Sequence, residues 1–270
     1  MLEVQESCEI CGEVRTEPTR FVNVLGTGLD LRRCVGCGVK YFPGVTKAAI
    51  VQQNDNPAAH AHVDNTIDRG AMDRTEDDPA ETVRTREIVR GYYGGMLAAL
   101  RKYVDPIESA FEVGCGGGRF LALLADEGCR VGGCDANKRA SERLPQYGVQ
   151  HAYFSDAEVP TGLDLVVMVD VIEHTHTPRA DLQQALASLR PGGGLIVKTF
   201  YDEWHDTFDV ECSKPEHWWS PRRGYFGPPS HLYHFDIPVL VGVIERVGFK
   251  VVEQQVETAY GQVTIYGVRP

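Results

Sequence analysis

Ala110-Phe-Glu-Val-Gly-Cys-Gly-Gly-Gly-Arg-Phe-Leu121 packs three structural signals into one short run. Apolar residues around a single acid, Glu112, predict a strand. Glycines at 114, 116 and 118 predict a tight turn, and Phe120 to Glu127 has the composition of a helix. Glycine is used where the backbone needs positive φ or where a ligand must touch it. Both demands arise at the carboxyl end of a parallel strand, where nucleotides bind. The dinucleotide fingerprint Gly-x-Gly-x-x-Gly fails here, because Arg119 stands at its last position.

Downstream, Arg130-Val-Gly-Gly-Cys-Asp135 reads as a second strand. It ends in an acid 21 residues beyond Gly114, a place from which a carboxylate can accept both ribose hydroxyls of a nucleoside. His151–Phe154 reads as a third strand, followed by Ser155, Asp156 and Ala157. Gly162–Val169 is a fourth, apolar at its end as a central parallel strand should be. Asp170-Val-Ile-Glu173-His174 leaves its carboxyl end. A helix over Asp181–Leu189, a turn at Arg190–Gly194 and a fifth strand, Leu195–Phe200, continue the alternation. Pro238–Val247 predicts a helix, and Gly248–Val252 and Val263–Tyr266 predict closing strands. Alternation at this spacing predicts an α/β fold built on a doubly wound, mostly parallel sheet, with its site beyond the strands' carboxyl ends.

Between the fifth strand and the last helix, residues 201–235 hold 9 of the chain's 24 aromatics and four of its nine histidines. Trp218, Trp219, His231 and His234 stand out. Flat aromatic faces with polar tips suit a substrate wall.

Upstream, Pro79 to Tyr103 predicts a helix. Gly91, Gly94 and Gly95 weaken its middle and predict a break near Tyr92-Tyr93. Residues 51–81 form a polar connector; from Asn54 to Glu81 it carries eight acids and two arginines. Residues 1–50 hold Cys8-x-x-Cys11 and Cys34-x-x-Cys37, separated by 22 residues. Two such knuckles supply four thiolates to one tetrahedral zinc, with no open position for catalysis. Phe21–Leu25 and Leu29–Leu31 read as short strands between them. Three parts follow: a zinc ribbon (1–50), an acidic connector (51–81) and a main domain (82–270) containing the aromatic segment.

The formal net charge is −11, and the ribbon's six basic residues balance its six acids. Neither suits a grip on nucleic acid, which needs basic surface. No apolar run is long enough to span a membrane. The acidic start lacks signal-peptide character, and paired CxxC cysteines suit a reducing cytosol, so a cytoplasmic protein is expected.

Taken together, the chain resembles the class I S-adenosylmethionine (SAM) methyltransferases. Glu112-x-Gly114-x-Gly116-x-Gly118 is similar to their first motif. The cysteine knuckles, Asp170-Val-Ile-Glu-His174, Pro191-Gly-Gly-Gly194 and His231-Leu-Tyr-His-Phe235 are similar to bacterial sugar and natural-product members with an N-terminal zinc ribbon. The resemblance implies a seven-stranded Rossmann-like sheet and SAM contacts from Glu112, Gly114, Cys115, Gly116, Asp135, Asp156, Ala157 and Asp170. It implies a small-molecule methyl acceptor, leaves the oligomer open, and points to His174, His231, His234 and Glu173 as catalytic candidates. Asp170, Glu173 and His174 with His231 or His234 also resemble the metal site of small-RNA 2′-O-methyltransferases, which the charge disfavours, and of ubiquinone-pathway O-methyltransferases, whose first acid is usually Glu where this chain has Asp170; a second divalent ion beside the structural zinc is thus an alternative. A noncatalytic zinc-ribbon adaptor is the reading from another class.

Overall fold

The computed structural model describes residues 7–19, 30–45, 79–201, 231–258 and 261–270. The expected strand Phe21–Leu25, most of the acidic connector, Trp218 and Trp219 lie outside these residues. In chain order the strands are β1 (Thr16–Pro18), β2 (Arg32–Cys34), β3 (Lys40–Tyr41), β4 (Ser109–Val113), β5 (Arg130–Asp135), β6 (Val149–His151), β7 (Leu163–Val169), β8 (Leu189–Phe200), β9 (Tyr233–His234), β10 (Lys250–Glu257) and β11 (Gln262–Val268). The helices are α1 (Pro79–Leu100), α2 (Arg119–Asp126), α3 (Lys138–Arg143), α4 (Pro178–Ser188) and α5 (Ile237–Val247).

Seven strands form the main sheet in the order β10-β11-β8-β7-β4-β5-β6. The five from β8 to β6 are parallel, and β11 lies antiparallel between β8 and β10. The chain winds outward from β4 to β6, then returns to β7 on the other side of β4. The crevice at the carboxyl end of β4 is therefore the switch point, where such sheets bind ligands. Leu165, Val166, Val167 and Met168 of β7 are buried on both faces, which accounts for their unbroken apolar run. On one face α1 and α2 contribute Leu97, Leu100, Phe120 and Leu124, packed around Leu165 and Ile196. On the other, α4 and α5 contribute Leu182, Leu240 and Ile244, packed around Val166 and Val197. Each such fully buried side chain contributes roughly 1.5–3 kcal/mol.

The expected break at Tyr92-Tyr93 does not occur. The helix runs unbroken from Pro79 to Leu100; Gly91, Gly94 and Gly95 have no positive φ, and burial of Met96, Leu97 and Leu100 anchors the turn that follows them. The expected turn at Arg190–Gly194 is instead the first half of β8, with a register irregularity against β7. Its glycines permit close approach: a Cβ at Gly193 would lie 2.9 Å from the Leu163 carbonyl oxygen, and one at Gly194 would lie 2.8 Å from Leu100. The third strand sits two residues early, at Val149–His151, and Phe154–Asp156 is a 3-10 turn.

A second, four-stranded sheet runs β1-β2-β3-β9. Its first three strands come from the ribbon; the hairpin strand begins at Arg32, after the expected Leu29–Leu31. Its fourth strand comes from the main domain, with Lys40 opposite His234 and Tyr41 opposite Tyr233. Tyr201, just past β8, forms a parallel bridge with Phe235 and joins the two sheets. The ribbon's Cys8, Ile10, Val39 and Tyr41 belong to the same apolar cluster as Phe235, Leu240 and Val197. No helix among the described residues is long and apolar enough to cross a membrane.

Candidate active site

The glycine loop is fixed from below. Gly114 N and Cys115 N both donate to the Cys134 carbonyl, at 2.8 and 3.2 Å, so β5 anchors the turn. Gly114, Gly116 and Gly118 have φ of 64°, 50° and 68°, the left-handed region that strains any side chain. Their surroundings differ. A Cβ at Gly114 would lie 2.5 Å from Val171, and one at Gly118 would lie 2.7 Å from Leu144, whereas one at Gly116 would meet nothing within 4 Å. Gly116 thus presents bare backbone to the crevice.

Gly118 is the N-cap of α2 and has no side chain to satisfy the helix's first amides. Glu112 serves from the strand beneath: its Oε2 accepts the Leu121 N–H at 3.2 Å. Glu112 is only 5% exposed, and burial pushes its carboxyl up to about 8 against the pull of that amide. The Cys115 side chain is turned into a small apolar cluster with Leu121, Ala140 and Leu144, so only its backbone is available to the crevice. Tyr93 of α1 packs on Phe120 at 5.0 Å, which brings α1 over this loop.

Asp135 ends β5 with its carboxylate already oriented. Oδ2 accepts from Gly116 N at 2.8 Å, and Oδ1 accepts from Asn137 N at 2.7 Å. Asp156 closes the 3-10 turn and is exposed, with Ala157 behind it half-buried. Asp170 directly follows β7 with φ of 54°, the one described non-glycine residue with positive φ, and its Oδ1 accepts from Gln262 Nε2 at 3.1 Å. Such strain persists only where surrounding structure imposes it. Asp170 keeps an exposed edge, while protein around the cleft and then the neighbouring Glu173 carboxylate push its carboxyl upward. Glycine loop, Asp135, Asp156 and Asp170 thus stand at the ends of adjacent strands.

The catalytic candidates also converge. After Asp170, Val171 packs against Gly114, and the chain turns so that His174 N donates to the Val171 carbonyl at 2.8 Å. Glu173 is 2% exposed, and neither carboxylate oxygen makes a well-formed hydrogen bond with a described group. Burial pushes its carboxyl up to about 7, with its own amide and the Thr199 hydroxyl opposing. His174 Nε2 lies 4.0 Å from Glu173 Oε1, with its ring partly solvent-facing. The His231 ring centroid lies 4.7 Å from that of His174 and 6.1 Å from that of His234. Donor atoms of Glu173, His174 and His231 all lie within 4.8 Å of one another; Asp170 and His234 are not in this trio.

At the ribbon, Cys8, Cys11, Cys34 and Cys37 form a second cluster. The Cys8–Cys37 and Cys11–Cys34 sulfur separations are 3.6 and 3.5 Å. Sulfurs at tetrahedral corners ~2.3 Å from a zinc stand about 3.8 Å apart, so the set fits that ion.

Some residues at the site escaped sequence reasoning. Gln262 approaches Asp170 from β11, and nothing local marks it. Phe42 faces His234 edge-on at 6.0 Å, a contact across most of the chain. Lys198, fully buried in β8, contacts Glu257 at 2.6 Å and lies 5.1 Å from the Tyr92 ring. Its signal was a lone charge in the apolar run Leu195–Phe200.

Comparison with known proteins agrees with this geometry. Residues 86–254 match the methyltransferase domain family. The ubiquinone biosynthesis O-methyltransferase of Parvibaculum lavamentivorans is 28% identical over 131 residues, which is 45% of this chain and 51% of that protein. The mitochondrial protein of the same description from Schizosaccharomyces pombe is 27% identical over 99 residues, 33% of this chain and 36% of its own length. The chain thus spans about half the length, or less, of these two curated relatives. Among solved structures, the 1,6-didemethyltoxoflavin-N1-methyltransferase of Burkholderia thailandensis aligns with a TM-score of 0.52 at 15% identity, covering 87% of this chain and 97% of that one. The magnesium protoporphyrin IX methyltransferase of Synechocystis, solved with S-adenosylhomocysteine, gives 0.51 at 15% identity, covering 79% and 97%. Glycine loop, sheet order and family match converge, and by family and fold the chain belongs to the SAM-dependent methyltransferases.

Proposed function

We propose that the protein transfers the SAM methyl group to a hydroxyl of a small molecule, a sugar-like or natural-product intermediate. The supporting observation is that Glu173 and His174, just beyond β7, meet His231 from the segment before β9, beside the loop that would hold the cofactor. Gly114, Gly116, Asp135 and Asp156 would bind SAM, with Glu112 and the Cys115 backbone shaping the loop. In the reaction the acceptor oxygen attacks the methyl carbon, the carbon–sulfur bond breaks, and S-adenosylhomocysteine leaves. The hydroxyl proton needs a base. His174 has the right chemistry near neutral pH, and the adjacent Glu173 carboxylate stabilises the imidazolium that forms. His231 and His234 wall the acceptor. The curated relatives are named O-methyltransferases, which supports oxygen as the accepting atom. The net charge of −11 favours a small molecule over nucleic acid.

A second reading rests on the Glu173–His174–His231 trio. One oxygen and two nitrogen donors within 4.8 Å, around a buried carboxylate without a well-formed hydrogen bond, suit a divalent cation. Such an ion would lower the pKa of an acceptor hydroxyl and hold a neighbouring oxygen beside it.

The test is calorimetry with S-adenosylhomocysteine, then methyl-labelled SAM offered with a panel of catechols, phenols and sugars. Label recovered on oxygen supports the proposal. Label confined to nitrogen or carbon overturns it, and absence of S-adenosylhomocysteine binding would revive the adaptor reading. Chelator, then rescue by magnesium, distinguishes the metal-assisted route from histidine alone, since the ribbon thiolates bind magnesium poorly.

A further inference from the structure

The strand that carries His234 is too short to hold itself. β9 has two residues, and an isolated strand of that length is not stable in water. The bridge from Tyr201 to Phe235 holds its end, Tyr233 Oη donates to the His176 carbonyl at 3.4 Å, and backbone partners flank it on two sides. On one side, Leu232 N and Tyr233 N donate to the Glu173 carbonyl at 2.8 and 3.2 Å. On the other, the ribbon supplies β3. Tyr41 stacks on Tyr233 at 6.2 Å, Phe42 meets the His234 ring edge-on at 6.0 Å, and Lys40 Nζ lies 3.3 Å from Asp236. Both Phe42 and His234 are almost fully buried. The cofactor-side residues are held otherwise, by β4, β5 and α2.

The geometry that presents β3 depends on the thiol cluster. Cys34 ends β2, and Cys37 lies in the turn that leads to β3. Cys34 N donates to the Val39 carbonyl at 2.8 Å, and Gly38 N to the Cys34 carbonyl at 2.9 Å. Four thiolates sharing one zinc would fix that hairpin, because metal binding and folding are coupled in such modules.

We propose that β3 and Phe42 form a positioning element for the acceptor half of the site. Through them, zinc at Cys8, Cys11, Cys34 and Cys37 sets where His231 and His234 stand. Phe42 acts through His234 and touches no reacting atom. This rests on the reading that these histidines face the acceptor, and it adds that the ribbon governs them while leaving the cofactor cradle alone.

Hydrogen exchange by mass spectrometry on the full chain tests it, with three samples: zinc-loaded, zinc-stripped, and zinc-loaded Phe42→Ala. Stripping should raise exchange over residues 231–235 by at least ~10-fold while residues 114–118 keep their protection, as local opening short of global unfolding allows. Phe42→Ala should retain zinc, show a smaller rise over 231–235, and shift the imidazole NMR signals of His231 and His234. Affinity for S-adenosylhomocysteine should stay within ~2-fold in all three samples, because the glycine loop's own hydrogen bonds run to β5 and Asp135 and not to the ribbon. Returning zinc to the stripped chain should restore native exchange. Unchanged exchange over 231–235 in both perturbed samples overturns the proposal. So does a parallel rise over 114–118, because the ribbon would then support the whole fold. Failure of the native chain to bind S-adenosylhomocysteine would sink the methyltransferase reading yet leave the exchange result standing, since that measurement uses no ligand.

Discussion

Gly114 and Gly116 share a backbone conformation and differ in what surrounds them. Gly114→Ala places a methyl 2.5 Å from Val171, in addition to the left-handed strain, and should destabilise the fold by roughly 2–4 kcal/mol. Gly116→Ala meets open space and should cost only about 1 kcal/mol, yet weaken S-adenosylhomocysteine binding at least ~10-fold if the crevice holds the cofactor. Urea unfolding with calorimetry separates the two effects; unchanged affinity in Gly116→Ala would remove the cofactor from this loop. Glu112 gives a pH signature. Its folded pKa of about 8 lies above the ordinary 4.5, so the native state holds the proton more tightly than the unfolded chain. The resulting stability is complete below pH ~4.5, falls by up to about 1.4 kcal/mol per unit as pH rises toward 8, and is lost above it. Glu112→Gln keeps an acceptor for the Leu121 amide and cannot ionise. Its stability should therefore fall less than wild type's between pH 5 and 8, and parallel profiles would refute this assignment. These positions were legible in the sequence because torsion and charge at a turn leave few residue choices. The second role of Glu112, capping α2 from beneath, was not, since it depends on how a strand lies under a helix.

At the scale of elements, alternating apolar runs disclosed the order of strands and helices, while glycines misled in two places. In α1 they face open space and break nothing; in β8 they admit neighbouring atoms and extend the strand. Sequence shows that a glycine is present, but packing determines why. Lys198 illustrates the same limit, because its partner arrives from β10. Replacing Glu257 by alanine removes the ion-pair partner of a cation with no solvent exposure, and should cost about 2 kcal/mol, below the ~3–5 kcal/mol of a fully buried pair because Glu257 is itself one-third exposed. Lys198→Met removes the charge while keeping much of the volume, and should stay within ~1 kcal/mol of wild type. Chemical denaturation of both variants decides: a larger loss in Lys198→Met would mean that the lysine does more than fill its place in β8.

Across the whole molecule, ribbon and main domain share one apolar cluster, so neither ends where the other begins. Metal analysis should find one zinc per chain, and Cys34→Ser should lose most of it, consistent with four-thiolate structural sites. Because the cluster is continuous, the zinc-loaded chain should unfold in one calorimetric transition, with matching calorimetric and van't Hoff enthalpies. Two resolved transitions would show that the ribbon is an independent appendage. The cysteine spacing announced the ribbon, but no local pattern announced its docking, since residues 40 and 234 are paired across almost the entire chain.

That pairing also orders events during synthesis. A ribosome makes β3 long before it makes Tyr233, and domains made first generally fold first. Until β9 emerges, the outer edge of the ribbon's hairpin carries backbone groups with no strand beside them, the condition that invites pairing with other chains. The short length of β3, two residues with Lys40 among them, limits that hazard. The ribbon, made before the main domain, is therefore completed only late, and its small sheet closes only when the histidine strand has left the ribosome.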